Sequence, residues 1–106
     1  MDQVLKKWVD LFNKSNAEAL GELYHEDATM HQTVYDPVTG KENIKKMLSA
    51  GFKLAKLKCI PESIFEDGNW SILEWKDSNG LRGCGFFHIV NNKIAFQRGY
   101  WDNLKF

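Results

Sequence analysis

The chain has 106 residues, which suits one domain spanning 1–106 with one core. Its 14 Lys and Arg balance 14 Asp and Glu, so no net field draws nucleic acid or an acidic membrane, and neither is expected as a partner. Aromatic residues make up 13%, enough to fill a core or to line an apolar pocket.

Residues 1–7 are charged and amphipathic, with no apolar leader, and no stretch is long enough to span a bilayer. Cys59 and Cys84 are too few and too far apart for a metal knuckle. They read as reduced, buried thiols of a cytoplasmic protein. Val4, Leu5, Trp8, Val9, Leu11 and Phe12 recur at helical spacing, so a first helix is expected to end near Asn13-Lys14. Ser15 or Asn16 then caps a second helix that buries Ala19, Leu20, Leu23 and Tyr24. Its acids Glu18, Glu22, Glu26 and Asp27 read as a solvated face, and His25 as a helix-end histidine suited to the dipole.

Residues 29–34 read as a short strand and residues 35–40 as a loop punctuated by Pro37 and Gly40. A third helix carries Ile44, Met47, Leu48 and Phe52, with Gly51 near its end. Lys41, Lys45, Lys46, Lys53, Lys56 and Lys58 crowd this region without interleaved aromatics. They are read as a solvated helix face and a lysine-protected edge rather than an anion site.

Four strands follow. Residues 57–66 form the first, with Pro61 marking an edge or a bulge. Asp67-Gly68 signals a hairpin into residues 70–76, and residues 77–80 turn again. Residues 81–90 carry Gly83 and Gly85, which thin one face of the sheet. Asn91-Asn92 tolerates the positive φ of a tight turn into the last strand. There, strict alternation puts Ile94, Phe96, Arg98 and Tyr100 on one face and Ala95, Gln97, Gly99 and Trp101 on the other. Three helices followed by a curved antiparallel meander predict an α+β roll, the sheet wrapped round the N-terminal helices.

Asp27-Ala28-Thr29, Gly40 ahead of a helix, Glu66-Asp67-Gly68-Asn69-Trp70 with Glu74-Trp75, Lys93-Ile94 and Arg98-Gly99-Tyr100-Trp101-Asp102 resemble, in that order and spacing, the SnoaL-like branch of the nuclear transport factor 2-like superfamily. The resemblance implies a curved sheet wrapped round a long helix, a pocket at the wide end of the cone, and homodimers paired through the outer sheet face. It implies no single activity: members include ketosteroid isomerases, limonene epoxide hydrolases, polyketide cyclases and transport adaptors. The isomerases' oxyanion Tyr falls on Trp8, their base on Gln32 and their protonated Asp on Cys84 or Gly85. The hydrolases' water-positioning Tyr and Asn fall on His31 and Thr33, and their last-strand Asp on Gly99. Their Arg-x-Asp pair falls on Glu74 and Lys76, or on Trp75 and Asp77 in a shifted register. Asp102 matches the family's closing Asp and is read as structural.

This matching aims Trp8, Phe87, Gln97 and Trp101 into the pocket, with His31, and with Glu74 if the register is unshifted. His31 is a candidate acid/base, or else a core histidine held by a carbonyl. Glu74 is a candidate general base, or else a surface acid if the strand flips. Gln32 and Gln97 orient a ligand but move no protons. Phe86, His88, Phe96, Arg98 and Tyr100 are expected to share the outer, dimer-forming face. The three histidines lack metal-ligand spacing, and no metal or cofactor is expected.

Three readings follow. The first is a protein that binds a small apolar or amphipathic ligand, with His31 giving binding a pH dependence near neutrality. The second is a cyclase- or isomerase-type enzyme using His31 with Glu74. The third is a protein-interaction module whose cone is filled by side chains.

Overall fold

The structure is a computed structural model, and it describes residues 2–102. Met1 and residues 103–106 of the expected domain lie outside the described residues. Helix α1 spans Gln3–Asn13, and Asp2 caps it by accepting from the Val4 N–H at 2.7 Å. Its stripe buries Val4, Leu5 and Trp8. Helix α2 is only Ala17–Gly21, capped by the Asn16 side chain at the Ala19 N–H. Helix α3 spans Lys41–Leu54.

Six strands make one curved, unclosed sheet: β1 Tyr24–Gln32, β2 Val38–Thr39, β3 Ile60–Asp67, β4 Trp70–Lys76, β5 Arg82–Val90 and β6 Lys93–Trp101. Their spatial order is β2-β1-β6-β5-β4-β3. The meander β3–β6 is antiparallel throughout, as its turns predict. The Asn91-Asn92 turn has both φ angles positive, at 52° and 63°. The sheet as a whole is mixed, however, because β1 runs parallel to β6. Beside Pro61 the β3–β4 register shifts, and β3 is an edge strand, so the proline marks both features. Asp67 pairs with Trp70, which makes Gly68-Asn69 the turn rather than Asp67-Gly68.

Tyr24 corrects the sequence reading. It does not close α2 but opens β1, five residues before the strand expected at 29–34. The helix stops at Gly21, and the Leu23 carbonyl accepts the Ile94 N–H at 2.8 Å. Pairing with β6 therefore overrides the helical pattern. His25 likewise stands on a strand, with Nε2 2.6 Å from the Val90 carbonyl oxygen, so that nitrogen carries the proton.

Two of the lysines need a correction, while the acids Glu18, Glu22 and Glu26 are exposed as expected. Lys41 and Lys45 are only 5% and 8% exposed, not solvated. Their ammonium groups reach Glu22 and Glu26, and Glu18 and Glu22, respectively. This network clamps α3 onto α2. Gly21 permits it, since a Cβ there would collide with the Lys45 stem.

The last strand corrects its own alternation. Between His88 and Ile89 the β5–β6 register slips. This bulge turns Ile94 inward, onto the same face as Gln97 and away from Phe96. The core between helices and sheet is built from Leu5, Leu20, Tyr24, Ile44, Leu73 and Ile94, among others.

Candidate functional site

A cavity of about 310 Å³ lies between α1, α3 and the inner face of the sheet. Helical spacing lays Trp8 and Phe12 one turn apart with rings stacked at 5.0 Å. Phe87 meets Trp8 edge-on at 5.2 Å, and Phe52 of α3 meets Phe12 edge-on at 5.3 Å. The sheet supplies the room. Gly85 and Gly99 pair directly across β5 and β6, and both line the cavity. A Cβ on Gly99 would fall 2.5 Å from Gln32 Oε1, so the missing side chain is where the Gln32 carboxamide lies.

All five residues expected to touch a ligand, Trp8, Gln32, Phe87, Gln97 and Trp101, line this one cavity. The two expected to carry chemistry do not. On β1, Ala28 and Met30 point inward and are buried, and Gln32 lines the cavity, so His31 between them faces outward. There its Nδ1 accepts from Arg98 Nε at 3.3 Å. On β4, Leu73 and Trp75 line the cavity, so Glu74 is turned out and exposed. It borders a separate outer groove with Glu62, Arg82 and Cys84. His31 and Glu74 therefore do not share the cavity, and among the described residues no His, Asp or Glu lines it.

Tyr24, behind the cavity wall, is the hydrogen-bonding residue that sequence reasoning missed. Fully buried, its hydroxyl accepts from Trp8 Nε1 at 3.0 Å and donates to Gln97 Oε1. Met30 Sδ, 3.7 Å away, is a secondary acceptor. Burial pushes the Tyr24 hydroxyl well above its ordinary range, and the Trp8 bond only partly offsets this, so it stays a donor. Ala28 and Met30 share the inward phase of Gln32, but an exposed Glu26 and a register shift between Tyr24 and Thr29 break the alternation before it reaches Tyr24. Burial also pushes the Cys59 thiol, on the cavity wall, up to about 12, which keeps it protonated and unreactive. Among the described residues no group of three or more His, Cys, Asp or Glu is placed to hold a metal ion.

Fold and cavity together define a cone-shaped α+β protein with an apolar interior. The SnoaL-like domain family matches residues 5–97, and the chain belongs to that family. A candidate polyketide cyclase from Sinorhizobium meliloti is similar in structure, with a TM-score of 0.87 at 18% identity over 94% of this chain and 95% of its own. A SnoaL-like protein of unknown function from Burkholderia thailandensis gives 0.85 at 13% identity, over 95% and 93%. The epoxide hydrolase/cyclase-like enzyme SalBIII, of pyran ring formation in the polyether salinomycin, gives 0.82 at 16% identity, over 94% and 88%. At these identities the likeness speaks for the fold. No curated protein is similar to the chain in sequence.

Proposed function

We propose that this protein binds a small apolar or amphipathic molecule reversibly in the cone. One observation carries the reading: a cavity of about 310 Å³, at the lower end of roughly 300–1,000 Å³ for small-molecule sites, walled by aromatics and edged by the carboxamides of Gln32 and Gln97. An isomerase needs a base to carry a proton between carbons, and an epoxide hydrolase needs a carboxylate-activated water. With His31 and Glu74 on the far face, no His, Asp or Glu among the described residues lines the cavity to take either part. The named cyclase neighbours favour an enzyme reading by fold alone. A thermal-shift screen of small apolar ketones, aromatics and acids tests the binding reading, with steroid and epoxide turnover assayed alongside. Stabilisation by an apolar class without turnover is expected; turnover above background would overturn the reading.

We further infer that two copies pair through the outer sheet face. What supports this is an aromatic cluster left partly in water. Trp70 is 42% exposed and stacks on His88 at 4.5 Å, Tyr100 is 46% exposed and meets Phe86 edge-on, and Arg98 lies over Phe96 at 4.9 Å. Leaving such side chains wet forfeits about 1.5–3 kcal/mol each. Sedimentation at micromolar concentration should give a dimer, and a monomer would end the inference.

A further inference from the structure

The geometry points to a ligand that is electrically neutral and carries a hydrogen-bond acceptor, such as a ketone, aldehyde, ester or lactone oxygen, held by the Nε2 hydrogens of Gln97. This rests on the binding reading above and adds the chemical class.

Trp8 Nε1 is donor-only, so the Tyr24 oxygen must accept from it. Tyr24 then has one hydrogen to give, and its strong acceptor is Gln97 Oε1. The carboxamide orientation follows from this sequence of donors: Oε1 is engaged at the back, and Nε2 is left facing the other way. Gln97 is only 3% exposed and lines the cavity. Among the described residues its Nε2 makes no recorded hydrogen bond, and no buried side-chain polar atom is without a partner. Nε2 is therefore open to the cavity, with two hydrogens to donate inside an apolar chamber. An occupant that offers an oxygen there satisfies them; a hydrocarbon leaves them unpaired.

Charge completes the class. Among the described residues the cavity lining holds no acid, and Lys58, exposed at the rim, donates from Nζ to the Asn13 carbonyl at 2.7 Å. An ionised ligand head beside the buried Gln97 would lose its water against apolar walls, while the Lys58 charge lies on an exposed residue. A neutral acceptor suffers no such loss.

The test uses three probes of one shape: 2-acetylnaphthalene, 2-ethylnaphthalene and 2-naphthoate, titrated by calorimetry into wild type, Gln97→Met and Tyr24→Phe. Wild type should prefer the ketone to the ethyl compound by about five- to tenfold, the worth of one added hydrogen bond. Gln97→Met should erase that preference, with the ketone losing its donor and the ethyl compound binding more tightly because no unpaired N–H is left beside it. Tyr24→Phe, which frees the carboxamide to turn, should reduce it. Should either variant misfold, ¹⁵N spectra of wild type decide instead. The Gln97 side-chain NH₂ signal should move with the ketone and stay put with the ethyl compound. Equal affinity for ketone and ethyl compound would overturn the inference and leave small-molecule binding standing. So would tightest binding of the naphthoate. Failure of all three probes to bind would overturn the binding reading itself, and this inference with it.

Discussion

The two faces of the sheet are made from the same strands and are almost equally rich in aromatics, yet they are built differently. Inside, Trp8, Tyr24 and Gln97 form a directed chain of hydrogen bonds among buried side chains, in which the Trp8 N–H and the Tyr24 hydroxyl each have an acceptor. Outside, Trp70, His88, Phe86 and Tyr100 meet ring against ring, and the polar pair Arg98–His31 sits among them. An inner residue is held by burial and by bonds that water cannot replace. An outer residue is held by contacts that water already shares. The abundance of aromatic residues therefore says little about where a site lies; the closure of the polar groups among them says more.

That contrast is sharpest between Trp8 and Trp70. Trp8→Ala should cost about 3–5 kcal/mol in urea denaturation, because a large buried side chain leaves a hole beside Phe87. Tyr24→Phe comes next. It removes one oxygen but leaves the Trp8 N–H and the Gln97 Oε1 without their partner, at about 1–3 kcal/mol. A neutral result would mean the inner chain holds nothing in place. On the outer face Trp70→Ala should cost the monomer only the stacking on His88, about 0.5–1.5 kcal/mol, while weakening any dimer. If Trp70 proved as costly as Trp8 in the monomer, the distinction between the faces would fail.

The smallest effect concerns the clamp of α3 on α2, which belongs to neither face. The Lys45 hydrogen bond, aided by the charges of Lys41 and Lys45, holds the Glu22 carboxyl below its ordinary value of 4.5. A lowered folded pKa means stability that is present above about 4.5 and lost as pH falls through the folded value. Thermal melts of Glu22→Gln should therefore show a shallower acid limb than wild type, and the two should be parallel where glutamate is fully ionised. An unchanged acid limb would show that the exposed carboxyl is screened out.

Local signals settled much of this protein. Asn91-Asn92 dictated its turn because few other pairs accept two positive φ angles. Pro61 declared an edge because it has no N–H for a second neighbour. The 3.6-residue stripe of α1 put Trp8 inside, and Gly85, expected with Gly83 to thin one face of the sheet, lines the cavity. The motifs that resemble the SnoaL-like family carried the α+β cone and five cavity-lining residues. What the sequence could not supply was phase. Alternation sorts His31 from Gln32 and Glu74 from Trp75, but it does not say which set is inside when both contain aromatic or polar side chains. The bulge in β6 changed the phase again at Ile94. Tyr24 was hidden for a related reason: a helical run continues through it, and only parallel pairing with a strand seventy residues later draws it into the sheet. Local patterns are read by each residue's neighbours in the chain. Which face is closed from water, and which polar atoms meet there, depends on partners brought together from distant parts of it, and only the tertiary structure decides that.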